Sequence, residues 1–261
     1  MNMAKTIRGM NENRAKAEIL NKKKKIYSFL TILFLGITIV YFMQMFFRIS
    51  SGVMVPYDEF TRFGYTYIFL FGCPCAIFRY LAQKSNAKYQ ILASGLQGED
   101  RLLNTLICLN DKYLVMENIQ MNVNGQRMEM DALVVSPYGL SLIECKNHLG
   151  DIRGNEQDIE WVQNKLGRGG SYYSKLFKNP FKQIARTSGI LKKVLRECNM
   201  TRIPIDTLVY FPACTSMNSD SDRVYINAKD LLNQISKKQK VVMRLDECQK
   251  LVKTILSYKT N

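Results

Sequence analysis

The chain has 261 residues, of which 47% are apolar and 23% are charged. This composition allows one or two domains with a buried core, and it excludes disordered, collagen-like and disulfide-scaffold proteins. The seven cysteines show no metal-ligand spacing, so we expect free thiols in a reducing compartment. With His148 as the only histidine, a histidine-rich zinc site and a Ser-His-Asp triad are excluded or lack parts. Any hydrolytic chemistry must therefore rest on carboxylates and lysine.

The net charge of +15 is unevenly distributed along the chain. Residues 1–25 carry +6, residues 48–62 are neutral, residues 79–90 carry +3, and residues 91–261 carry the remaining +6. More than half of the excess positive charge therefore flanks apolar segments. Positive charge beside apolar segments is explained first by its role in setting membrane topology, and only second by the binding of a polyanion.

The first apolar segment, residues 26–47, has 22 residues without a charge. A helix of that length, at about 1.5 Å per residue, crosses a hydrocarbon core of about 30 Å. We predict a transmembrane helix here, preceded by a basic cytosolic tail of residues 1–25. A cleaved signal peptide is the alternative, but the 25-residue leading region and the missing A-x-A cleavage site disfavour it.

A second apolar segment, residues 63–78, has 16 uncharged residues. It spans a membrane if the side chains of Arg62 and Arg79 extend toward the two interfaces, and we predict a second transmembrane helix over residues 63–82. Gly72 and Pro74 favour the alternative of an interfacial or re-entrant segment, which would leave a single-pass protein.

Two spans would make this a two-pass membrane protein with the lipid bilayer as a partner. Residues 48–62 would form a short external loop. The basic tail and everything after residue 90 would face the cytosol, because segments rich in Lys and Arg stay inside.

The residues after the membrane region predict a helix over Ser94–Leu109, in which leucines recur at helical spacing. Glu99 and Asp100 would lie near the start of this helix, where the helix dipole favours anions. Three strands joined by short turns follow and indicate an antiparallel meander. The predicted strands cover residues 113–119, 127–135 and 140–145, with turns at Asn124-Gly125 and at residues 136–139.

The stretch Asn147–Ser174 is polar and rich in glycine, and we predict that it is mainly a long loop. Within it, Arg168-Gly169-Gly170 is not a phosphate loop, because no strand leads in and the Walker lysine and serine are missing. A helix is predicted from Pro180 to about Glu197. The remaining predictions are a buried strand at 205–211, a short strand at 224–226, helices at 229–235 and 245–258, and hence a C-terminal helical extension over 213–261.

The patch MEMDALVVSPYGLSLIECKN contains the residues that could carry chemistry. Side chains alternate along a strand, so Glu144 and Lys146 point to one face and Cys145 to the other, and a hairpin can bring Asp131 beside them. Two carboxylates can hold a hard cation such as magnesium, and a lysine can position the attacking water. The alternative is a set of ordinary solvated neighbours, but their position at the ends of strongly apolar strands favours a functional role.

These residues resemble the NERD (nuclease-related) domain, which is grouped with the PD-(D/E)xK, restriction-endonuclease-like nucleases. The resemblance implies an α/β fold with an α-β-β-β-α-β core over residues 90–212 and a divalent-metal nuclease site. The motifs that carry it are Gly98-Glu99, Glu129 to Val135, Gly139-Leu140, Ile143 to Asn147, Gly150, Gly154, Trp161, Asn179-Pro180 and Gln183.

The resemblance also implies roles for individual residues. Asp131 and Glu144 would be metal ligands, with the backbone carbonyl of Cys145 as a possible third. Lys146 would orient the water and stabilise developing negative charge. Glu99 could complete the cation's shell and Gln183 could hold water or a phosphate oxygen, although a helix-dipole carboxylate and a solvated helix face are plain alternatives for these two.

Two conspicuous residues near the motif have structural explanations that we favour. His148 is expected to pack or to meet solvent, because the lysine already supplies the proton chemistry. Trp161 is expected to anchor the loop by packing.

The sequence thus predicts a membrane-anchored, cytosol-facing nuclease that hydrolyses phosphodiester bonds of DNA or RNA with Mg²⁺ or Mn²⁺. One alternative is a non-catalytic module that binds nucleic acid or a protein partner at the membrane. A second alternative is a membrane scaffold assembled through the two helices. The strandedness of the nucleic acid and the identity of any protein partner are left open.

Overall fold

The computed structural model describes residues 3–9, 11–52, 54, 56–167, 170–237 and 240–259, and only the backbone of residues 59, 60 and 63. Arg168-Gly169, part of the segment predicted not to form a phosphate loop, lies outside the described residues, as does part of the predicted external loop. A strand ends just before this segment, at Leu166, so the expectation that no strand leads into it is wrong, although the Walker lysine and serine are still missing. The chain divides into two units. One unit is Glu12–Ala93, and the other combines the residues up to Asn11 with those from Ser94 onward.

Long helices make up the Glu12–Ala93 unit, and the last of them continues beyond Ala93. After the short strand β1 (Lys5–Arg8), α1 covers Glu12–Ser50 and includes the whole first apolar segment. The second apolar segment is helical throughout, so the structure shows no re-entrant break at Pro74. It comprises α2 (Tyr57–Tyr67), a π-helical turn (Ile68–Gly72) and α3 (Cys73–Leu106). Both helical stretches are long and apolar enough to cross a membrane.

Aromatic side chains join these helices within the unit. The rings of Tyr41 and Tyr67 stack with centroids 3.6 Å apart. Further along, Phe34 lies 6.1 Å from Phe71 and Tyr27 lies 6.3 Å from Phe78. Along this series of pairs, the residue numbers decrease on α1 and increase on the second helical stretch. The two helical stretches therefore run antiparallel and form a helical hairpin. At about 1.5 Å per residue, this line of aromatic pairs extends over about 20 Å.

The predicted antiparallel meander is confirmed. β2 (Leu114–Val123), β3 (Gln126–Ser136) and β4 (Gly139–Cys145) pair in sequence order. At the first turn Asn124 and Gly125 both have positive φ, 51° and 81°, as a two-residue type I′ hairpin requires. Gly139 at the second turn has φ 124°, and a Cβ there would come within 2.9 Å of Pro204.

The prediction of a long loop over 147–174 is wrong. That stretch contains β5 (Gly150–Arg153), β6 (Glu160–Leu166) and the start of β7 (Tyr172–Lys178), which form a second sheet. The alternation of apolar and polar residues that would predict β6 is weak, because a polar residue occupies a buried position on this strand. Gln163 is 1% exposed and donates its side-chain amide to the carbonyl of Leu149 at 2.6 Å.

The rest of the chain combines predicted helices with two strands. α4 covers Pro180–Glu197, as predicted, and Asn179 caps it by accepting a hydrogen bond from the Phe181 backbone N–H. β8 (Ile205–Tyr210) is the predicted buried strand. The C-terminal extension is only partly helical. It contains β9 (Cys214–Asn218), β10 (Val224–Tyr225), α5 (Ala228–Ser236) and α6 (Leu245–Ser257).

The larger sheet has the strand order β1-β2-β3-β4-β8-β10, and the smaller has the order β7-β6-β5-β9. One face of the larger sheet packs against α4 and α6, and the other packs against α5 and the end of α3. The predicted α/β class with an α-β-β-β-α-β core is therefore confirmed, as α3-β2-β3-β4-α4-β8. The N-terminal residues are not simply a basic tail, because β1 pairs in parallel with β2, Lys5 opposite Leu114 and Arg8 opposite Glu117.

Candidate active site

The acidic pair of the predicted site lies on two neighbouring strands. Asp131 is near the middle of β3 and Glu144 is the penultimate residue of β4, and the two strands pair through Ala132 and Ile143. The carboxylate of Asp131 accepts a hydrogen bond from the backbone N–H of Cys145 at 2.7 Å. The structure thus confirms that the hairpin brings Asp131 beside the end of β4.

Lys146 lies on the same side of the strand as Glu144, as the alternation of side chains predicts. Its ammonium is 2.5 Å from a carboxylate oxygen of Glu144, whose side chain is 4% exposed. The same ammonium donates a hydrogen bond to the side-chain carbonyl of Gln183 at 3.0 Å. The exposed side chain of Gln183 on α4 is therefore in direct contact with the Lys146 ammonium.

Burial and mutual charge set the electrostatics of this group. Burial and the negative charge of Glu144 raise the pKa of Asp131 to about 8. Burial also raises the pKa of Glu144, although Lys146 opposes that change. Burial alone would lower the pKa of Lys146, but the two carboxylates raise it above its ordinary value. Two carboxylates held together away from water resist carrying both charges, and a divalent cation would relieve that repulsion.

Glu99 lies in a different setting from the one predicted. α3 begins at Cys73, so Glu99 is deep within a long helix and not at the positive end of a helix dipole. Its carboxylate accepts hydrogen bonds from the side-chain amides of Asn118 at 3.0 Å and Asn11 at 2.6 Å. Its negative charge still contributes to the raised pKa of Asp131. Glu99 therefore borders the acidic pair and is held there by two asparagines.

The helix segment that carries Glu99 fits closely against the end of β4. A Cβ on Gly98 would lie 2.6 Å from the Cβ of Asn147, so only glycine allows this approach. Asn147 donates its amide to the backbone carbonyl of Ser94 at 2.6 Å. These contacts fix the distance between α3 and the residues that follow Lys146.

A second acidic residue near the site was missed at the level of sequence. Glu117 on β2 is 2% exposed, and the guanidinium of Arg8 lies 2.8 Å from its carboxylate. Arg8 also pairs with Asp100 at 2.9 Å. An acid in the middle of the apolar strand LVMENIQM was a usable signal for Glu117, but nothing in the local sequence connects it with Arg8.

His148 and Trp161 pack against aromatic neighbours. The ring centroid of His148 is 4.3 Å from that of Phe177. Trp161 is fully buried, stacks on Phe211 and donates its indole N–H to the carbonyl of Asn155. Burial, followed by the nearby positive charges of lysines, lowers the pKa of His148 to about 4. These contacts fit the structural roles that we favoured for both residues.

The donor set fits a magnesium ion better than a transition metal. Asp131 and Glu144 could supply two carboxylate oxygens, and Mg²⁺ typically takes one or two carboxylates together with waters and substrate phosphates. Among the described residues, no group of three or more His, Cys, Asp and Glu side chains is arranged to hold a metal. A metal here would therefore need waters, a phosphate oxygen or a backbone carbonyl such as that of Cys145.

A family model matches the part of the chain that contains this site. The family model described as the nuclease-related domain, NERD, matches residues 94–212. The chain contains a NERD domain. The matched range includes Glu99, Asp131, Glu144 and Lys146 as well as Gln183, so every predicted site residue lies within the family's own boundaries.

An uncharacterised protein of Bacillus anthracis is 27% identical to the chain over 170 residues. The similarity covers 62% of this chain and 75% of that protein. No solved structure matches the chain significantly. The structural unit around the NERD domain is larger than the matched range, because β1 lies before residue 94 and β9 and β10 lie after residue 212.

Proposed function

We propose that the NERD domain hydrolyses phosphodiester bonds of DNA or RNA in a reaction that requires Mg²⁺ or Mn²⁺. The observation that supports this proposal is the convergence of Asp131, Glu144 and Lys146 at the C-terminal end of β4. Hydrolysis of a phosphodiester needs carboxylates for a hard cation and a cationic group near the attacked phosphorus. No histidine is required.

Each side chain has a distinct task in this proposal. Asp131 and Glu144 would hold the metal, which supplies charge neutralisation at the phosphate and a more acidic bound water. Lys146 would hold the attacking water and stabilise negative charge that develops on the phosphate oxygens. Gln183 accepts from the Lys146 ammonium and so orients it. Glu99 adds negative charge beside Asp131 and strengthens the attraction for a cation.

Cleavage assays on the full-length chain in detergent test the proposal, with a labelled single strand and a plasmid as substrates. We expect cleavage in Mn²⁺ or Mg²⁺ and none in EDTA. Glu144→Gln and Lys146→Met should each lower the rate by about a hundredfold or more. Glu160→Gln removes one exposed carboxylate from β6 and should leave the rate unchanged. Equal activity of the wild-type, Glu144→Gln and Lys146→Met proteins would refute the assigned roles.

A non-cleaving module that binds nucleic acid is the second candidate. One observation favours it, since Lys146 is already engaged by Glu144 and Gln183. Binding that persists in EDTA, together with an absence of cleavage in either metal, would establish this alternative.

We also propose that the chain is a two-pass membrane protein with the NERD domain in the cytosol. β1 precedes the two apolar helical stretches and β2 follows them, yet the two strands are hydrogen-bonded neighbours. Both must therefore lie on the same side of a membrane, which requires an even number of crossings. Basic residues flank the ends of the hairpin on that side, at Lys22 to Lys25 and at Arg79, Lys84 and Lys88.

A further inference from the structure

Positive charge in the NERD domain is concentrated in one part of the sequence. From Trp161 to Arg196 there are nine Lys or Arg residues and no Asp or Glu. Residues 91–261 as a whole carry only +6, so the remainder of that region is net negative. The segment comprises most of β6, all of β7 and nearly all of α4. These are the elements that follow the candidate active site, and α4 contributes Gln183 to it.

The β6–β7 hairpin presents three cross-strand pairs on one face. Trp161 pairs with Phe177 at its buried base, Gln163 with Lys175 in the middle, and Lys165 with Tyr173 toward the turn. Side chains two residues apart on a strand share a face, so Lys165, Tyr173 and Lys175 continue the face that is buried at Trp161. Beyond the buried base, this face is both cationic and aromatic.

The same face is continuous with the candidate active site. The ring of His148, two residues after Lys146, contacts Phe177 at the base of the hairpin. The charges of Lys146, Lys165 and Lys175 all act on this one imidazole. Among the ion pairs between described residues, none engages Lys165 or Lys175.

The exposed aromatic ring on this face favours a nucleic acid strand over a simple anion as the ligand of its lysines. Tyr173 is 51% exposed, beside Lys165. Lysines on an exposed edge strand also prevent edge-to-edge pairing, which accounts for the cations of β7 but not for an exposed ring. Alternating cations and exposed rings are the features that bind single strands, since unpaired bases stack on the rings while the cations follow the phosphates.

We propose that the hairpin face formed by Lys165, Tyr173 and Lys175, the strand-binding face, holds single-stranded nucleic acid and directs it to the site at Lys146. The inference rests on the proposed nuclease function, whose substrate it specifies. The bases of an intact duplex are stacked on each other and cannot stack on Tyr173. A single strand, or the unpaired end of a duplex, is therefore the preferred ligand.

Binding measurements in EDTA test this inference separately from catalysis. The full-length chain in phosphatidylcholine nanodiscs is titrated with a labelled thymidine 20-mer and with a 20-base-pair duplex, and binding is followed by fluorescence anisotropy. We expect the single strand to bind more tightly. Lys165→Gln combined with Lys175→Gln should weaken single-strand binding about tenfold and lower the salt slope by about 1.4, since each phosphate contact contributes about 0.7.

Tyr173→Leu separates stacking from charge. It should weaken binding of the single strand about tenfold, while the salt slope and the affinity for the duplex stay unchanged. The matched control is Lys250→Gln combined with Lys253→Gln, which removes the same charge from exposed positions on α6. That control should bind both ligands with wild-type affinity.

Unchanged single-strand binding by both hairpin variants would overturn the inference. A defect that occurs only in discs containing phosphatidylglycerol would also overturn it, because the face would then belong to the lipid surface. Parallel cleavage assays in Mn²⁺ keep the two proposals apart. If the wild-type chain cleaves and the hairpin variants bind and cleave normally, only this inference fails. If hairpin-dependent binding occurs without any Glu144-dependent cleavage, only the nuclease proposal fails.

Discussion

The side-chain amide of Asn11 donates a hydrogen bond to the carboxylate of Glu99 at 2.6 Å, across 88 residues of sequence. Asn11 immediately precedes α1, and Glu99 lies on α3. The segment between them contains both apolar helical stretches. A residue that comes before both apolar helical stretches therefore holds an acid at the border of the candidate active site, and residues 3–9 and 11 belong to the same unit as the domain.

This arrangement predicts that both ends of the chain lie on one side of the membrane. Epitope tags fused to the N-terminus and to the C-terminus should both be digested by protease in inside-out vesicles. In right-side-out vesicles both tags should be protected, because the pairing of β1 with β2 requires the two ends of every folded chain to lie on one side of the membrane. Digestion of one tag in each vesicle type would contradict the two-pass arrangement.

Arg8→Ala should destabilise the domain. The change leaves the buried carboxylate of Glu117 without its ion-pair partner, which typically costs about 1 to 2 kcal/mol when the lost partner is itself partly solvated. Burial raises the pKa of Glu117 and Arg8 opposes the rise. Above the ordinary pKa of a glutamate, the folded variant keeps a proton on Glu117 that the unfolded chain has released. The stability lost through Arg8→Ala should therefore grow as pH rises from 5 to 7.

Denaturant unfolding monitored by the fluorescence of Trp161, the sole tryptophan, measures this loss. A second substitution, Glu117→Gln, removes the buried charge and should restore most of the stability of Arg8→Ala. Equal losses at both pH values, or no restoration, would show that the Arg8 ion pair is not the cause.

Gly98→Ala and Gly95→Ala form a matched pair on one helix. A methyl group at Gly98 would lie 2.6 Å from the Cβ of Asn147, whereas one at Gly95 meets nothing within 4 Å. Alanine at Gly95 should stabilise the helix by up to about 1 kcal/mol. Alanine at Gly98 should instead cost roughly 1 to 3 kcal/mol, because the neighbouring backbone after Lys146 must shift. Thermal unfolding should show that Gly95→Ala raises the unfolding temperature and that Gly98→Ala lowers it. Equal effects of the two substitutions would disprove the close approach of Gly98 to Asn147.

His148 should remain neutral well below its ordinary titration range. Its pKa is lowered from 6.5 to about 4, mainly by burial. Between those values the unfolded chain binds a proton that the folded chain does not. The contribution to stability is therefore complete above about pH 6.5 and declines toward pH 4, by up to about 1.4 kcal/mol per pH unit.

The imidazole signals of the only histidine in the chain report this pKa directly by NMR, provided that any affinity tag lacks histidine. His148→Phe keeps an aromatic ring against Phe177 but does not titrate, so its stability should fall less than that of the wild type between pH 6.5 and 4. A measured pKa near 6.5 would contradict the buried environment.

Elements with strong local signals were predicted closely. Asn124-Gly125 takes the positive φ angles that a tight hairpin requires, so the β2–β3 turn could be predicted from two residues. Asn179-Pro180 likewise marks the start of α4, because the asparagine caps the helix and the proline cannot extend it backward.

Elements stabilised by distant partners could not be predicted. β1 has the sequence KTIR, which carries no strand periodicity, and it exists because β2 provides an edge with which to pair. β6 buries Gln163, whose polarity is satisfied only by the carbonyl of Leu149. α3 was predicted as two separate segments because its sequence changes from apolar to polar, whereas the backbone continues without a break.

Local features of the chain specify the apolar helical stretches, the meander and the acid and lysine residues of the candidate site, since each depends on uncharged length, local backbone preference or the alternation of neighbouring side chains. Long-range contacts bring Asn11 to Glu99 and Arg8 to Glu117, and they place His148, two residues after Lys146, against Phe177 of the β6–β7 hairpin. These relationships join residues far apart in the chain. Their energies arise from pairing and burial that exist only after the sheets have formed.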